Sequence, residues 1–178
     1  MKATLESGAL RDIDKCYVYI QNYGKIVMTI LPDIGDQKNA NYTDENSIGR
    51  SMPFKTYQNS DNRTISWTCH FVVCKQTDIP LFLQYIKAFQ SAVYPSTDDN
   101  WSPAPWSPPP ICKIKCGDLL GSEEVCVIMK SYSLKWDTGV VWDEETYLPY
   151  KFDVDLSFDV VYNQSNLPGS ERILMVGY

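Results

Sequence analysis

Apolar and polar residues alternate strictly from Thr64 to Phe71, and Val73 continues the apolar side. Ile65, Trp67, Cys69, Phe71 and Val73 fall on one side, and Thr64, Ser66, Thr68 and His70 fall on the other. That period of two predicts a strand with one buried face. The period then changes. Ile79, Phe82, Leu83, Ile86, Phe89 and Val93 recur at helical spacing, predicting an amphipathic helix of about four turns over 79–93. Thr77 or Asp78 is suited to cap its first turn, Pro80 is tolerated there, and Tyr94-Pro95 stops it. The cleanest alternation comes last. Tyr150, Phe152, Val154, Leu156, Phe158, Val160 and Tyr162 share one face, opposite Lys151, Asp153, Asp155, Ser157 and Asp159.

Weaker patterns fill the rest. Cys16–Ile20 and Gly24–Leu31 predict a hairpin, with Gly24 free to take a positive φ at the turn and Pro32 ending the second strand. Residues 111–116 and 125–136 predict two further strands, and 137–149 an acidic loop. Residues 1–13 read as a polar arm, 33–62 as one long polar loop, and 163–178 as a C-terminal tail. A polar stretch of some thirty residues predicts a functional loop, or one ordered by a partner. Six of the eleven prolines lie between Pro95 and Pro110, so 96–110 is expected to run extended as a crossover. One domain over 1–178 follows, mainly β (α+β), with six or seven strands and one flanking helix.

Composition changes this picture little. Hydrophobic residues at 44% and charged residues at 21% are ordinary for a globular chain. The net charge of −6 argues against a protein that grips nucleic-acid phosphates, although not against one that lets nucleic acid pass. Met1–Asp12 contains no apolar run, so neither a signal peptide nor a membrane anchor is expected there, and no window is apolar enough to span a bilayer. A cytosolic folding compartment, with its six cysteines mostly reduced, is the expectation.

Candidate chemistry is sparse. Cys112 and Cys116 sit within a strand and lack the tight knuckles and second pair that zinc requires, so the cysteines read as small buried hydrophobes and no metal or other cofactor is expected. Cys69 and His70 are neighbours in a strand and point apart, which defeats a nucleophile–base pair. Nucleophile elbows, phosphate-binding glycine loops and metalloprotease helices are absent, so no catalytic residue is assigned. Trp101 and Trp106, with Trp142, suit a carbohydrate platform. The preferred reading makes Trp101 and Trp106 anchors for the proline-rich crossover, with Phe54 a further anchor in the long loop. Asp153, Asp155 and Asp159 on one strand face are either a solvated outer face or the acidic lining of a channel along which DNA slides.

The order of these segments resembles a known family. The run Ile65-Ser-Trp-Thr-Cys-His-Phe-Val-Val-Cys is followed by Asp78-Ile-Pro-Leu-Phe-Leu-Gln-Tyr-Ile-Lys-Ala-Phe and Tyr94-Pro-Ser. A Pro-Pro-Pro step then enters Ile111-Cys-Lys-Ile-Lys-Cys-Gly-Asp-Leu-Leu. Val125-Cys-Val-Ile-Met-Lys-Ser-Tyr-Ser-Leu-Lys-Trp and Tyr147-Leu-Pro-Tyr-Lys-Phe-Asp-Val-Asp-Leu-Ser-Phe close the series. Over about 48–162 the pattern is similar to the baseplate tail-tube initiator and tube-cap proteins of contractile-tailed bacteriophages and related injection machines.

The resemblance implies a tail-tube-like fold: two packed antiparallel sheets with a flanking helix, and terminal arms. It further implies a hexameric ring around a DNA channel, seated on the central hub and nucleating the tail tube, with the tube subunit itself as the alternative. The expected partners are sister copies and the neighbouring hub and tube rings, with DNA passing unbound and no membrane. The expected location is the virion tail, assembled in the host cytoplasm. Asp153, Asp155 and Asp159 would line the channel, and Phe54, Trp101 and Trp106 would anchor contacts between subunits.

Overall fold

A computed structural model of the chain describes residues 13–46, 48–49, 51–95 and 108–162. Among these lie nine strands and one α-helix: β1 (Cys16–Ile20), β2 (Gly24–Val27), β3 (Asp33–Gln37), β4 (Ala40–Glu45), β5 (Phe54–Ser60), β6 (Thr64–Val72), α1 (Ile79–Ser91), β7 (Cys112–Cys116), β8 (Val125–Trp136) and β9 (Lys151–Val160). They form two antiparallel sheets of unequal size. Seven strands run in the order β2-β1-β7-β8-β9-β6-β3, and β4 pairs only with β5.

The three strongest sequence patterns occupy the centre. β9 lies between β8 and β6, so its alternation places Phe152, Val154, Leu156, Phe158 and Val160 in the core. β6 meets it in register, Ile65 opposite Phe158 and Phe71 opposite Phe152, and its own apolar residues are buried on the same face. α1 covers one end of that face. The Phe71 ring stacks on Phe152 with centroids 5.2 Å apart, and Phe82 and Phe89 of the helix approach Phe71 to 5.9 and 6.2 Å. Aromatic clusters of this kind stabilise beyond the area that they bury.

A helix of 13 residues cannot cover seven strands, yet Cys16, Val18 and Ile20 at the other end are also buried. The sheet itself supplies the cover by curling. β2 and β6 stand five strand positions apart, which in a flat sheet is roughly 24 Å. Val27 and Thr29 at the end of β2 nevertheless line one cavity of about 230 Å³ with Phe71, Val72 and Phe82. The β2-β1-β7 wing therefore folds over the β9-β6 wing, and the expectation of two packed antiparallel layers is met largely within a single sheet.

Sequence reading and structure part company in four places. Residues 33–62 are not a loop: they hold β3, β4 and β5, and β3 is an edge strand of the large sheet with Asp33 opposite Thr68. Their residues are almost all exposed, so no apolar alternation marked them. The second strand of the first hairpin ends at Val27 rather than Leu31. Gly24 does take a positive φ of 92° at the turn, joined by Asn22 at 79°.

Neither Thr77 nor Asp78 caps α1 through its side chain. Asp78 is the N-cap residue but is itself in the α region, because a 3₁₀ turn over Gln76–Asp78 leads directly into the helix. Finally, β8 carries a bulge at Lys130. Met129 faces Phe158 and Ser131 faces Ser157, leaving Lys130 with no opposite residue. The extra residue moves the inward positions from Val125, Val127 and Met129 to Tyr132, Leu134 and Trp136. The polar arm, the proline-rich crossover with Trp101 and Trp106, and the C-terminal tail lie almost wholly outside the described residues.

Candidate functional site

The face of the β6–β9–β8 ladder that points away from the core carries the sequence-predicted aspartates. Strand parity places them there: each sits between two inward apolar residues of β9, opposite a polar residue of β6. Asp153 faces His70, Asp155 faces Thr68 and Asp159 faces Thr64. Each pair is bonded. His70 Nδ1 lies 2.7 Å from Asp153, Thr68 Oγ1 donates to Asp155 at 2.7 Å, and Thr64 Oγ1 donates to Asp159 at 3.2 Å.

Cations complete the ladder from the other side. Lys135 Nζ lies 2.6 Å from Asp155, and Lys130 Nζ lies 3.2 Å from Asp159. Lys130 follows inward Met129 and so faces this side by parity, and the bulge lets Ser131 share it. Asp33 on the edge strand β3 reaches the second ring nitrogen of His70 at 3.3 Å. The Lys135 ammonium, with the Thr68 hydroxyl next, holds the Asp155 carboxyl below its ordinary range. The hydrogen bond from Asp153 does most to raise the His70 pKa above its usual value, partly opposed by desolvation and aided by Asp33.

This geometry corrects one part of the sequence reading. Asp153, Asp155 and Asp159 are not a row of unpartnered carboxylates, because Lys135 and Lys130 pair with Asp155 and Asp159, and His70 bonds to Asp153. Ser66, Ser131, Ser133 and Ser157 lie between them on strand positions of the same parity. The face is thus a ladder of paired charges and hydroxyls rather than an acidic wall. The ladder's cations, Lys130 and Lys135 on β8, carry no periodic mark in the sequence that ties them to β9.

The second feature is the β4–β5 hairpin. All six residues of β4 and six of the seven in β5 are exposed. Tyr42 and Tyr57 pack edge to face across it at 5.6 Å, Lys55 pairs with Asp44 at 2.8 Å, and Asn41 bonds to Asn59 and Asp61. Its connection presents Ile48 and Met52 to solvent, and Phe54, the expected anchor, opens β5 half exposed. Its base is closed where the Asp61 amide donates to the Asn39 carbonyl at 2.9 Å. Two strands of this length are marginal in water unless something packs on them.

The catalytic arrangements considered from the sequence do not assemble. Cys69 and Cys112 point into the core, whereas His70 points to the opposite face. Among the described residues no group of three or more His, Cys, Asp or Glu could hold a metal ion. Trp142 does reach a concavity of about 530 Å³, beside Trp136, Tyr147, Leu83 and Ile86. Its loop is held by Asp143, which accepts from the Thr146 amide at 2.9 Å, the Thr146 hydroxyl at 2.7 Å and Gln76 at 3.2 Å. Trp101 and Trp106 lie outside the described residues, so their platform is not on view.

No family model matches the chain, and no curated protein sequence matches it. Among solved structures it is similar to a chain described as "Virion of native gene transfer agent (GTA) particle", at a TM-score of 0.37 and 9% identity, over 85% of this chain and 99% of that one. A likeness of that size carries no inference about this chain's fold or role.

Proposed function

We propose that this protein is a non-enzymatic structural subunit of a contractile phage tail, a ring-forming component that joins the baseplate hub to the tail tube. The observation that carries the reading is the β4–β5 hairpin. Its strands present Tyr42 and Tyr57 and its connection presents Met52, and among the described residues those strands pair only with each other. A two-stranded ribbon of that composition gains its stability by docking on something else. The nearest candidate is a sister copy, and a head-to-tail contact repeated by rotation closes into a ring.

The edges of the large sheet support the same reading. Among the described residues β2 and β3 each pair on one side only, so both borders have backbone groups available for a neighbour. In a hexamer built this way the β6–β9–β8 ladder faces the lumen, with Asp153, Asp155 and Asp159 on the channel wall. Paired charges and serine hydroxyls offer a phosphate backbone neither a basic stripe to hold it nor a field to expel it. DNA would pass without specific binding, and the axial contacts would be made to hub and tube rings in the virion. Among the described residues no helix is long and apolar enough to cross a membrane.

Electron microscopy and native mass spectrometry of the purified full chain test the reading. The expected result is a ring of six with the aspartate ladder inside. A strictly monomeric chain at high concentration, also unable to join purified tail tubes, would overturn it. A ring with the ladder on its outer wall would remove the lumen assignment alone.

A further inference from the structure

We propose that Cys16 and Cys116 are an oxidative modification site, a buried thiol pair that a small-molecule disulfide such as oxidised glutathione converts into one intrachain cross-link. The two sulfurs lie 3.0 Å apart across a sequence separation of 100 residues. Their residues are direct partners in the β1–β7 ladder. The hydrogen-bond pattern shows which kind of partners they are. The Cys16 amide donates to Ile13 and its carbonyl accepts from Met28, both away from β7, while the neighbouring bond to β7 joins the Gly117 amide to the Lys15 carbonyl.

Cys16 and Cys116 thus form a non-hydrogen-bonded cross-strand pair, the closer of the two kinds, with Cα atoms about 4.5 Å apart. That spacing lies inside the range that a disulfide bridges without moving the backbone. The remaining contraction, to a covalent length of about 2.0 Å, needs only side-chain rotation.

The other cysteines are placed to stay out. Cys112 lies four residues along β7, opposite Ile20, and Cys74 and Cys126 are exposed rather than in the core. Cys69, buried on β6, is near enough to act electrostatically with both thiols, but its strand is adjacent to neither partner, so it lacks the in-register cross-strand position. Burial is also the gate. Cys16 and Cys116 are 1% and 2% exposed, and burial, then the Cys116 thiol, push the Cys16 pKa far up. Exchange therefore proceeds when the short β1–β2 hairpin at the sheet border opens.

In the open state one thiol loses its proton and attacks the glutathione disulfide, releasing one glutathione thiolate. The second cysteine, deprotonated in turn, attacks the mixed disulfide and releases the other. Two protein thiols are oxidised, one glutathione disulfide is reduced to two thiols, and the chain loses two hydrogens. The link ties β1, and with it the β2 wing, to β7. The inference rests on this geometry and stands apart from the assembly reading.

The test uses the reduced full chain, incubated with excess oxidised glutathione in buffer and in denaturant below the unfolding midpoint. It is then denatured, alkylated, weighed intact and mapped by peptide. The expected product carries four alkylated cysteines and a single Cys16–Cys116 peptide, returns to six on reduction, and has a thermal midpoint higher by about 10 °C. Cys116→Ser should lose both the link and the shift. Six alkylated cysteines after prolonged exposure, glutathione retained on Cys16 or Cys116, or a link through Cys69 would each overturn the proposal. The wild-type map decides the matter even where the serine variant fails to fold.

Discussion

His70 and Asp153 stand directly opposite each other across β6 and β9, with Nδ1 2.7 Å from the carboxylate. Asp33, 3.3 Å from Nε2, extends that pair to the edge strand β3, so one imidazole ties three strands. The contact favours the imidazolium and raises the His70 pKa above 6.5. For a group whose folded pKa is raised, the stabilisation is complete below the unfolded value and fades as pH rises through the folded one. Stability should therefore decline from about pH 6.5 upward to the folded pKa. His70 is the sole histidine, so a proton NMR titration reads it directly. A midpoint at or below 6.5, or an unchanged pH profile in His70→Gln, would contradict this. The effect should be small and salt-sensitive, because Asp33 is largely exposed.

Deleting the β4–β5 hairpin should separate folding from assembly. Asn39 and Asp61 already meet at its base, so a two-residue Asn-Gly link can replace 40–60. The shortened chain should keep its circular dichroism and melt within a few degrees of the parent, since the hairpin adds nothing to the core. On the proposed assembly, light scattering should find the full chain in rings and the shortened chain monomeric under the same conditions. Retained rings would show that the contact lies elsewhere.

Phe71 contacts Phe82, Phe89 and Phe152, joining α1 to the two central strands. Phe71→Ala should lower stability by about 3–5 kcal/mol in urea unfolding, through lost transfer energy and a cavity between helix and sheet. A change below about 1 kcal/mol would mean that the helix packs on some other residue.

The bulge in β8 makes an unusual prediction about length. Removing Lys130 leaves Met129 inward, Ser131 outward and Tyr132 inward, an unbroken alternation in register with β9. That deletion should fold, losing only the Lys130–Asp159 ion pair and local twist. Removing Ser133 instead turns Leu134 and Trp136 to the polar face and should prevent folding. Comparison of near-ultraviolet circular dichroism for the two deletions checks both outcomes.

Asp143 organises the loop between β8 and β9 through Thr146 and Gln76. Bonding to the Thr146 hydroxyl leads the causes that hold its pKa low, so the loop should loosen only as acid protonates it. Asp143→Ala should bring that looser state to neutral pH, seen as faster exchange of the Thr146 amide and altered Trp142 fluorescence. Unchanged exchange would place the restraint in the Trp142–Pro149 bridge instead.

Where side chains divide between core and solvent, periodicity alone located the elements. β6, β9 and α1 were legible because burial imposes a period of 2 or 3.6 on residues such as Phe71, Leu156 and Phe89. β3, β4 and β5 were not, since β4 and β5 are exposed on both faces and β3 turns only Ile34 toward the core, so no apolar alternation is imposed, and backbone pairing leaves no mark on side-chain type. The outward aspect of Asp153, Asp155 and Asp159 followed from parity within β9. That Lys130 and Lys135 pair with Asp159 and Asp155, that His70 bonds to Asp153, and that Cys16 meets Cys116 100 residues away, depended on strand order and register. Those are long-range choices among strands, and only the folded sheet makes them.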